Sequence, residues 1–368
     1  MGQCGGQDMD VTTRVDAAID AALGQRIVGA VVLVNRGGRP VYARAAGLAD
    51  REAGREMALD AVFRLASVTK PVVAAAVLRM VDLGVMDLDD PVTRFLPEFC
   101  PRCPDGSEAV IRIRHLLSHT SGLTYGGGGD FPRGLAGPLI PLDEVMARLA
   151  AEPLAFAPGT GWEYGMSIDV LGAVIAAVNG SDVAGAVERY VTGPLGMADT
   201  RFGVSDADRL AVPYADGRPP RRMGEPEGVV GDDGTVTVFS PRRIFEQQAP
   251  QSGGAGMAGT AGDVMRLLEA LRGGFLSAGL RDAAFANQIG DLRRRDVGKR
   301  FGFLGAVTVD PQAADTAMPV GAVDWGGVWG HNWVVERASQ TVIVVCTNTT
   351  FEGCNGPFRE DIVRAVFG

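Results

Sequence analysis

The chain has 368 residues, 46% of them hydrophobic and 21% charged, a composition that excludes a disordered or low-complexity chain and fits an enzyme-sized globular body. Thirty-five Lys and Arg against 44 Asp and Glu give a net charge of -9, which argues against general binding to a phosphate backbone, so no nucleic-acid partner is expected. A chain of this length suggests two domains and buries enough apolar surface to fold without disulfide or metal support, so its five cysteines are incidental to folding.

In chain order, Met1 to Asp10 has neither a basic n-region nor an apolar h-region and does not read as a secretory signal, so a cytoplasmic location is expected. Val11 to Leu23 has helical periodicity, Ile27 to Val34 is a β-branched run, and Arg36-Gly-Gly-Arg39 turns the chain into Val41 to Ala45: helix, strand, hairpin turn, strand. Helices are expected over Ser67 to Leu83, Leu142 to Ala151, Tyr164 to Val178, Val183 to Val191 and Ala261 to Leu271. Leu304 to Val309, Gly326 to Val335 and Thr341 to Thr347 read as strands, and Phe358 to Phe367 as a closing helix. Strands at both ends with helices between predict an α+β fold, an antiparallel sheet flanked by helices from both chain termini with an inserted, mostly helical domain. The expected division is residues 1–65 plus 252–368 for the sheet domain and 66–251 for the helical one, with the site where they meet. Val204 to Gln251, rich in Pro, Gly and Arg, has no assigned role; a segment this long is usually a lid or wall. The longest apolar stretch, Val72 to Val81, is interrupted by Arg79 and falls short of the roughly 20 residues that span a bilayer, so no membrane partner is expected.

Several motifs carry little. Cys100-Pro-Arg-Cys103 followed by His115 and His119 comes close to Cys₂His₂ zinc spacing, but a domain of this size needs no structural metal. Gly126 to Gly129 is not followed by Lys-Ser/Thr and reads as a mobile loop, not a phosphate loop. Arg293-Arg-Arg295 reads as an exposed charge run.

The informative stretch is Phe63-Arg-Leu-Ala-Ser-Val-Thr-Lys-Pro71, followed by nearly continuous apolar residues to Leu83, which predicts a helix buried on most sides. Pro71 fits only the first turn, so Ser67 falls at the N-terminal end, where unpaired N–H groups favour developing negative charge. Lys70 follows on the same face. A serine hydroxyl needs a base to become a nucleophile, and a desolvated lysine with a lowered pKa is one way to supply it. An N-cap alone gives no reason to place an ammonium at the head of an apolar helix, where it costs several kcal/mol unless paired or used.

Ser67-Val-Thr-Lys70 resembles the S-x-x-K motif of the serine β-lactamase and penicillin-binding-protein superfamily. His119-Thr-Ser-Gly-Leu123 is similar to the H-T-S-G-L segment of its class C-like members and accounts for both histidines without zinc. Pro158 to Gly172 resembles the P-G-x-x-(W/F)-x-Y-S-N region, and Gly253 to Asp263 the G-G-G-L-x-S-T-A-x-D segment. The resemblance spans nearly the whole chain, and these elements occur in the family's order. It implies Ser67 as nucleophile, Lys70 and Tyr164 sharing its proton with the base left open between them, an oxyanion hole of the Ser67 and Val328 N–H groups, and no metal or cofactor.

The departures bear on substrate. Gly165 and Met166 stand where the family's lactamases have Ser-Asn, and Trp325-Gly-Gly327 stands where the third motif is Lys-Thr-Gly. The W-G-G form resembles family VIII carboxylesterases. An indole in place of the ammonium that would hold a carboxylate favours an apolar or aromatic acyl or alcohol group, while Gly326 and Gly327 are expected to let substrate approach the strand. Tyr125, Met166, Trp329 and His331 are further candidates for the pocket; core packing is the alternative for Tyr125 and Trp329, and Asp169 is expected to pair or cap. The resulting expectation is a serine hydrolase acting through an acyl-enzyme on a small ester or amide, foremost a carboxylesterase on short to medium acyl esters with weak β-lactamase activity compatible with it. Behind it stand an acyltransferase or amide hydrolase of the same fold, then a β-lactamase or D,D-peptidase, then a non-catalytic binding module.

Overall fold

The computed structural model describes residues 4–126, 134–231, 234–292 and 297–368. Most of the Gly126–Gly129 loop and the Arg293–Arg295 run lie outside them. An antiparallel sheet of eight strands runs in the order 299–301, 306–308, 323–327, 331–336, 341–347, 29–36, 39–50, 55–56. The two chain ends meet at its centre, where Gly29–Arg36 pairs with Thr341–Thr347, Ala30 opposite Thr347 and Arg36 opposite Thr341. These central strands read as almost unbroken apolar runs because both faces are covered. Val32, Val34, Ile343 and Val345 point to one face, against Ile19 of the Cys4–Ala22 helix and Phe358 and Ile362 of the Pro357–Phe367 helix. Val31, Val342 and Val344, one residue out of phase, point to the other and join the main core with Leu267, Leu268 and Leu271 of the Ala261–Arg272 helix.

Four differences from the predicted elements matter for the site. The segment Gly326 to Val335 is two strands, Val323–Gly327 and His331–Glu336, because Gly330 takes a φ of 112° and its N–H closes on the Gly327 carbonyl at 2.9 Å. The chain therefore reverses at residues 328–330. The buried helix begins at Thr69 and ends at Asp82, and Ser67 lies before it in a single 3₁₀ turn, Ala66–Val68. Ala66 has a φ of 44°, which no helix accepts, so the helix cannot extend back over it. Tyr164 likewise precedes its helix, Ser167–Asn179, since Gly165 packs against the Leu123 carbonyl, where a Cβ would come within 2.5 Å. The 204–251 segment forms two small hairpins, Tyr214–Ala215 with Arg221–Arg222 and Glu227–Val230 with Val236–Phe239.

A three-stranded sheet, 62–64, 257–260 and 201–202, ties the 3₁₀ turn to the glycine-rich stretch from Gly253. Leu65 N–H donates to the Met257 carbonyl at 2.8 Å. Among the described residues no single helix is long and apolar enough to cross a membrane.

Candidate active site

The Thr69–Asp82 helix is buried from Thr69 through Leu78, so Lys70 is driven into the interior by its apolar neighbours. Only 4% of it is exposed. Its ammonium has three protons, and three acceptors meet it: the Gly254 carbonyl at 2.7 Å, Tyr125 Oη at 2.9 Å and Ser67 Oγ at 3.2 Å. The Nζ also stands over the Tyr164 ring, 4.7 Å from its centroid. Burial alone would lower its pKa, but the surrounding Tyr125, Tyr164 and Asp169 more than offset that and hold it above the usual lysine value. This corrects the expectation of a lysine lowered toward neutrality by desolvation: Lys70 is a cation. Tyr125, half-buried beside the lysine, is pushed up by burial against the opposing pull of Lys70, and so is a neutral phenol.

Tyr164 and Trp325 face one another from opposite walls. Trp325 donates its indole Nε1–H to Tyr164 Oη at 3.0 Å, with the ring centroids 4.8 Å apart. Phe301 meets Trp325 edge-on at 5.1 Å and His119 at 5.3 Å, and His119 lies 4.7 Å from the Tyr164 ring. Trp325 thus brings an N–H aimed at the tyrosine oxygen in addition to its aromatic face.

The glycines of the third motif are small for a different reason from the one expected. A Cβ on Gly327 would lie 2.3 Å from the Leu65 carbonyl, and one on Gly326 would lie 2.7 Å from Cys354 Sγ. They admit the protein's own backbone and side chains on that face. The close approach at Gly327 presses the strand end onto the turn that carries Ser67, and Val328 packs with Ala66 in one apolar cluster.

Across residues 15–365 the sequence matches the family described as Beta-lactamase. The chain belongs to the β-lactamase family. It is 49% identical to Esterase EstB of Burkholderia gladioli over 97% of this chain and 95% of that protein. Among solved structures, EstCE1, described as a hydrolase with promiscuous acyltransferase activity, superposes with a TM-score of 0.92 at 36% identity, covering 98% of this chain and 99% of that one. Simvastatin synthase (LovD) from Aspergillus terreus shares the fold, with a TM-score of 0.72 at 21% identity over 96% and 97% of the two chains. The α+β, β-lactamase/transpeptidase-like architecture read from the sequence is the one found.

Within this β-lactamase-family scaffold, two candidates leave the pocket. Met166 is fully buried in the main core, because the loop before the Ser167–Asn179 helix turns it inward. His331 lies on the strand after the reversal, also buried. Its Nε2 is 2.7 Å from the Arg64 carbonyl and its ring meets Phe63 edge-on, and burial lowers its pKa to about 4, so it is a neutral clamp between two sheets. Trp329 is nearly buried and stacks under the Arg64 guanidinium at 5.6 Å. It lines a cavity of about 430 Å³ together with Phe202, Ile244, Phe245 and Met257. Arg64, Arg201, Arg243 and Glu246 line it too, while Ser67, Lys70, Tyr125 and Tyr164 do not. The 204–251 segment thus supplies a wall of that cavity. His115 serves as a helix-start acceptor, its Nδ1 taking the Arg112 N–H at 3.2 Å. Sequence reasoning missed the Gly254 carbonyl, a backbone acceptor that no side chain signals, and the contact of Tyr125 with Lys70.

Proposed function

We propose that this serine hydrolase of the β-lactamase family is a carboxylesterase that cleaves small acyl esters through an acyl-enzyme on Ser67. The observation that carries this reading is the saturated ammonium of Lys70, held 3.2 Å from Ser67 Oγ inside an aromatic enclosure. Because Lys70 already spends its three protons as donor, it stabilises charge and does not collect a proton. Tyr164 is the acceptor: its oxygen takes the Trp325 N–H and its ring covers the Lys70 cation, both of which stabilise negative charge there. In this reading Tyr164 acts as the phenolate: it takes the Ser67 proton and becomes the phenol as Ser67 attacks the ester carbonyl, and the oxyanion is received by the Ser67 and Val328 N–H groups, each worth roughly 3–4 kcal/mol in such a site. Tyr164 then protonates the leaving alkoxide, and a water entering by the same route releases the acid.

The aromatic wall of Trp325 and Phe301 favours short to medium acyl chains or aromatic alcohols, and offers no ammonium where a lactam carboxylate would sit. The family's 49% identical relative, Esterase EstB, supports ester hydrolysis. EstCE1, with its promiscuous acyltransferase activity, supports a second reading in which an alcohol replaces water as acyl acceptor. Incubation with a p-nitrophenyl ester series, a chromogenic cephalosporin and a fluorophosphonate, with and without an added alcohol, tests both. Ester turnover well above cephalosporin turnover, with Ser67→Ala neither labelled nor active, is the expected result; cephalosporin preference would overturn the esterase reading.

A further inference from the structure

Asp169 sits one layer behind the site on the Ser167–Asn179 helix, fully enclosed. A buried carboxylate is costly unless it is paired and hydrogen-bonded, so its surroundings should show what holds it. Its Oδ1 accepts the Ser252 hydroxyl and, at 3.2 Å, the Gly254 N–H. Ser252 Oγ in turn accepts the Ala255 N–H at 3.1 Å, so one carboxylate gathers the whole 252–255 turn. The fit leaves no slack, since a Cβ on Gly254 would lie 2.3 Å from Asp169 Oδ2 and one on Gly253 would lie 2.5 Å from the Ile168 carbonyl. The same Gly254 whose N–H is held by Asp169 presents its carbonyl to Lys70 Nζ at 2.7 Å.

We infer that Asp169 is a positioning residue for catalysis: through Ser252 and Gly254 it fixes the carbonyl that orients Lys70, and its negative charge keeps Lys70 an ammonium. Resting on the Ser67–Lys70–Tyr164 reading above, the inference deepens it by naming what sets the charge and place of the lysine. The groups facing Lys70 are Tyr125 and Tyr164 from the two loops, Ser67 from the turn and Asp169 from the helix behind, with His119 bordering the same small cavity. Of these only Asp169 is a carboxylate. Burial raises its pKa, while Lys70, Ser252 and the Gly254 N–H pull it back. Both donors fall on one oxygen, Oδ1, and each favours the charged carboxylate as its acceptor. Loss of this anion would leave a lysine whose burial favours the neutral form.

The test is steady-state hydrolysis of p-nitrophenyl acetate across the pH range by the full chain and its Asp169→Asn, Ser252→Ala and Ser67→Ala variants, each checked for a cooperative melt. Asp169→Asn keeps an acceptor on the turn and removes the charge. It is expected to lower kcat at least about tenfold with KM within about twofold, and to bring a downturn in kcat/KM below about pH 10, where the wild-type profile has none. Ser252→Ala keeps the charge and loosens the turn, so a loss of about threefold in kcat with the wild-type pH profile is expected. Wild-type kcat and profile in Asp169→Asn would overturn the inference, as would an equal loss in both variants with no change in profile. If Asp169→Asn does not fold, an unchanged kcat in Ser252→Ala overturns it and the about threefold loss supports it. A Ser67→Ala variant that still turns over ester removes the underlying reading and this inference with it. An inactive Ser67→Ala beside a normal Asp169→Asn removes only the inference.

Discussion

The two walls of the site are built on opposite principles. On one, the turn and helix that carry Ser67 and Lys70, every polar atom is spoken for: the ammonium is saturated by a carbonyl, a phenol and a hydroxyl, with a carboxylate behind them. On the other, the Val323–Gly327 strand, a single indole N–H faces Tyr164 among ring edges and glycine backbone pressed against protein, while the strand's carboxylate, Asp324, is buried and paired with Lys299 and Arg359. The charge beside the serine lies on the first wall and the shape on the second. Chemistry should therefore respond steeply to changes on the serine–lysine wall, and substrate range to changes on the strand.

The largest effects that could break this contrast lie on the first wall. Ser67→Ala and Lys70→Ala are each expected to lower kcat by about a thousandfold or more, with melting temperatures close to wild type for Ser67→Ala and lowered for Lys70→Ala, since that leaves the Gly254 carbonyl and the Asp169 carboxylate without their buried partner, in ester assays paired with thermal melts. A Lys70→Ala enzyme with near-normal kcat would mean that the polar wall is structural. Tyr164→Phe should fall in the same range, because it removes the proton acceptor while keeping the ring over Lys70. Loss of only about twofold would shift proton transfer away from Tyr164.

The strand wall should respond less and differently. Trp325→Phe keeps an aromatic edge against Phe301 and deletes only the N–H to Tyr164, so kcat should fall about tenfold with KM nearly unchanged, while Trp325→Ala should raise KM most for the smallest acyl esters by opening the wall. Equal loss of kcat and gain in KM for both variants would blur the division between the walls. The pH profile sharpens it further. With Lys70 held above its usual value, the positive sign that the mechanism needs is present at neutral pH and is lost only as pH rises through that elevated pKa, so kcat/KM should show no lysine-linked fall up to about pH 10.

These two walls were unequally legible in the sequence. Ser67, Lys70 and Tyr164 announced themselves through residue type, order and the apolar run behind Pro71, and the two-ended antiparallel sheet followed from strands at both termini. What escaped was set by backbone geometry. The φ of Ala66 takes Ser67 out of the helix, and the reversal at Gly330 separates His331 from the third motif. Neither is visible in periodicity, because a glycine or alanine reads alike in a strand, a turn or a helix end. Trp325 was read by its ring and not by its N–H, whose aim depends on which residue lies across the cleft. Lys70 was read by burial alone, which points toward neutrality; only the number and kind of acceptors around it reverse the sign.

His331 gives the smallest effect and the cleanest check on where the strand wall ends. Its pKa is lowered to about 4 by burial, against about 6.5 in the unfolded chain, so the folded protein holds it neutral while the unfolded chain takes up a proton. Its contribution to stability is fully present above about pH 6.5, declines by about 1.4 kcal/mol for each unit that pH falls below that, and stops declining near pH 4. His331→Gln, which keeps a donor for the Arg64 carbonyl, should flatten the fall in melting temperature between these limits and leave kcat/KM for small esters within about twofold. A variant with the wild-type acid slope would show that other groups set it. One that loses activity in proportion to KM would return His331 to the substrate pocket, and with it the strand that the reversal at Gly330 takes away from the site.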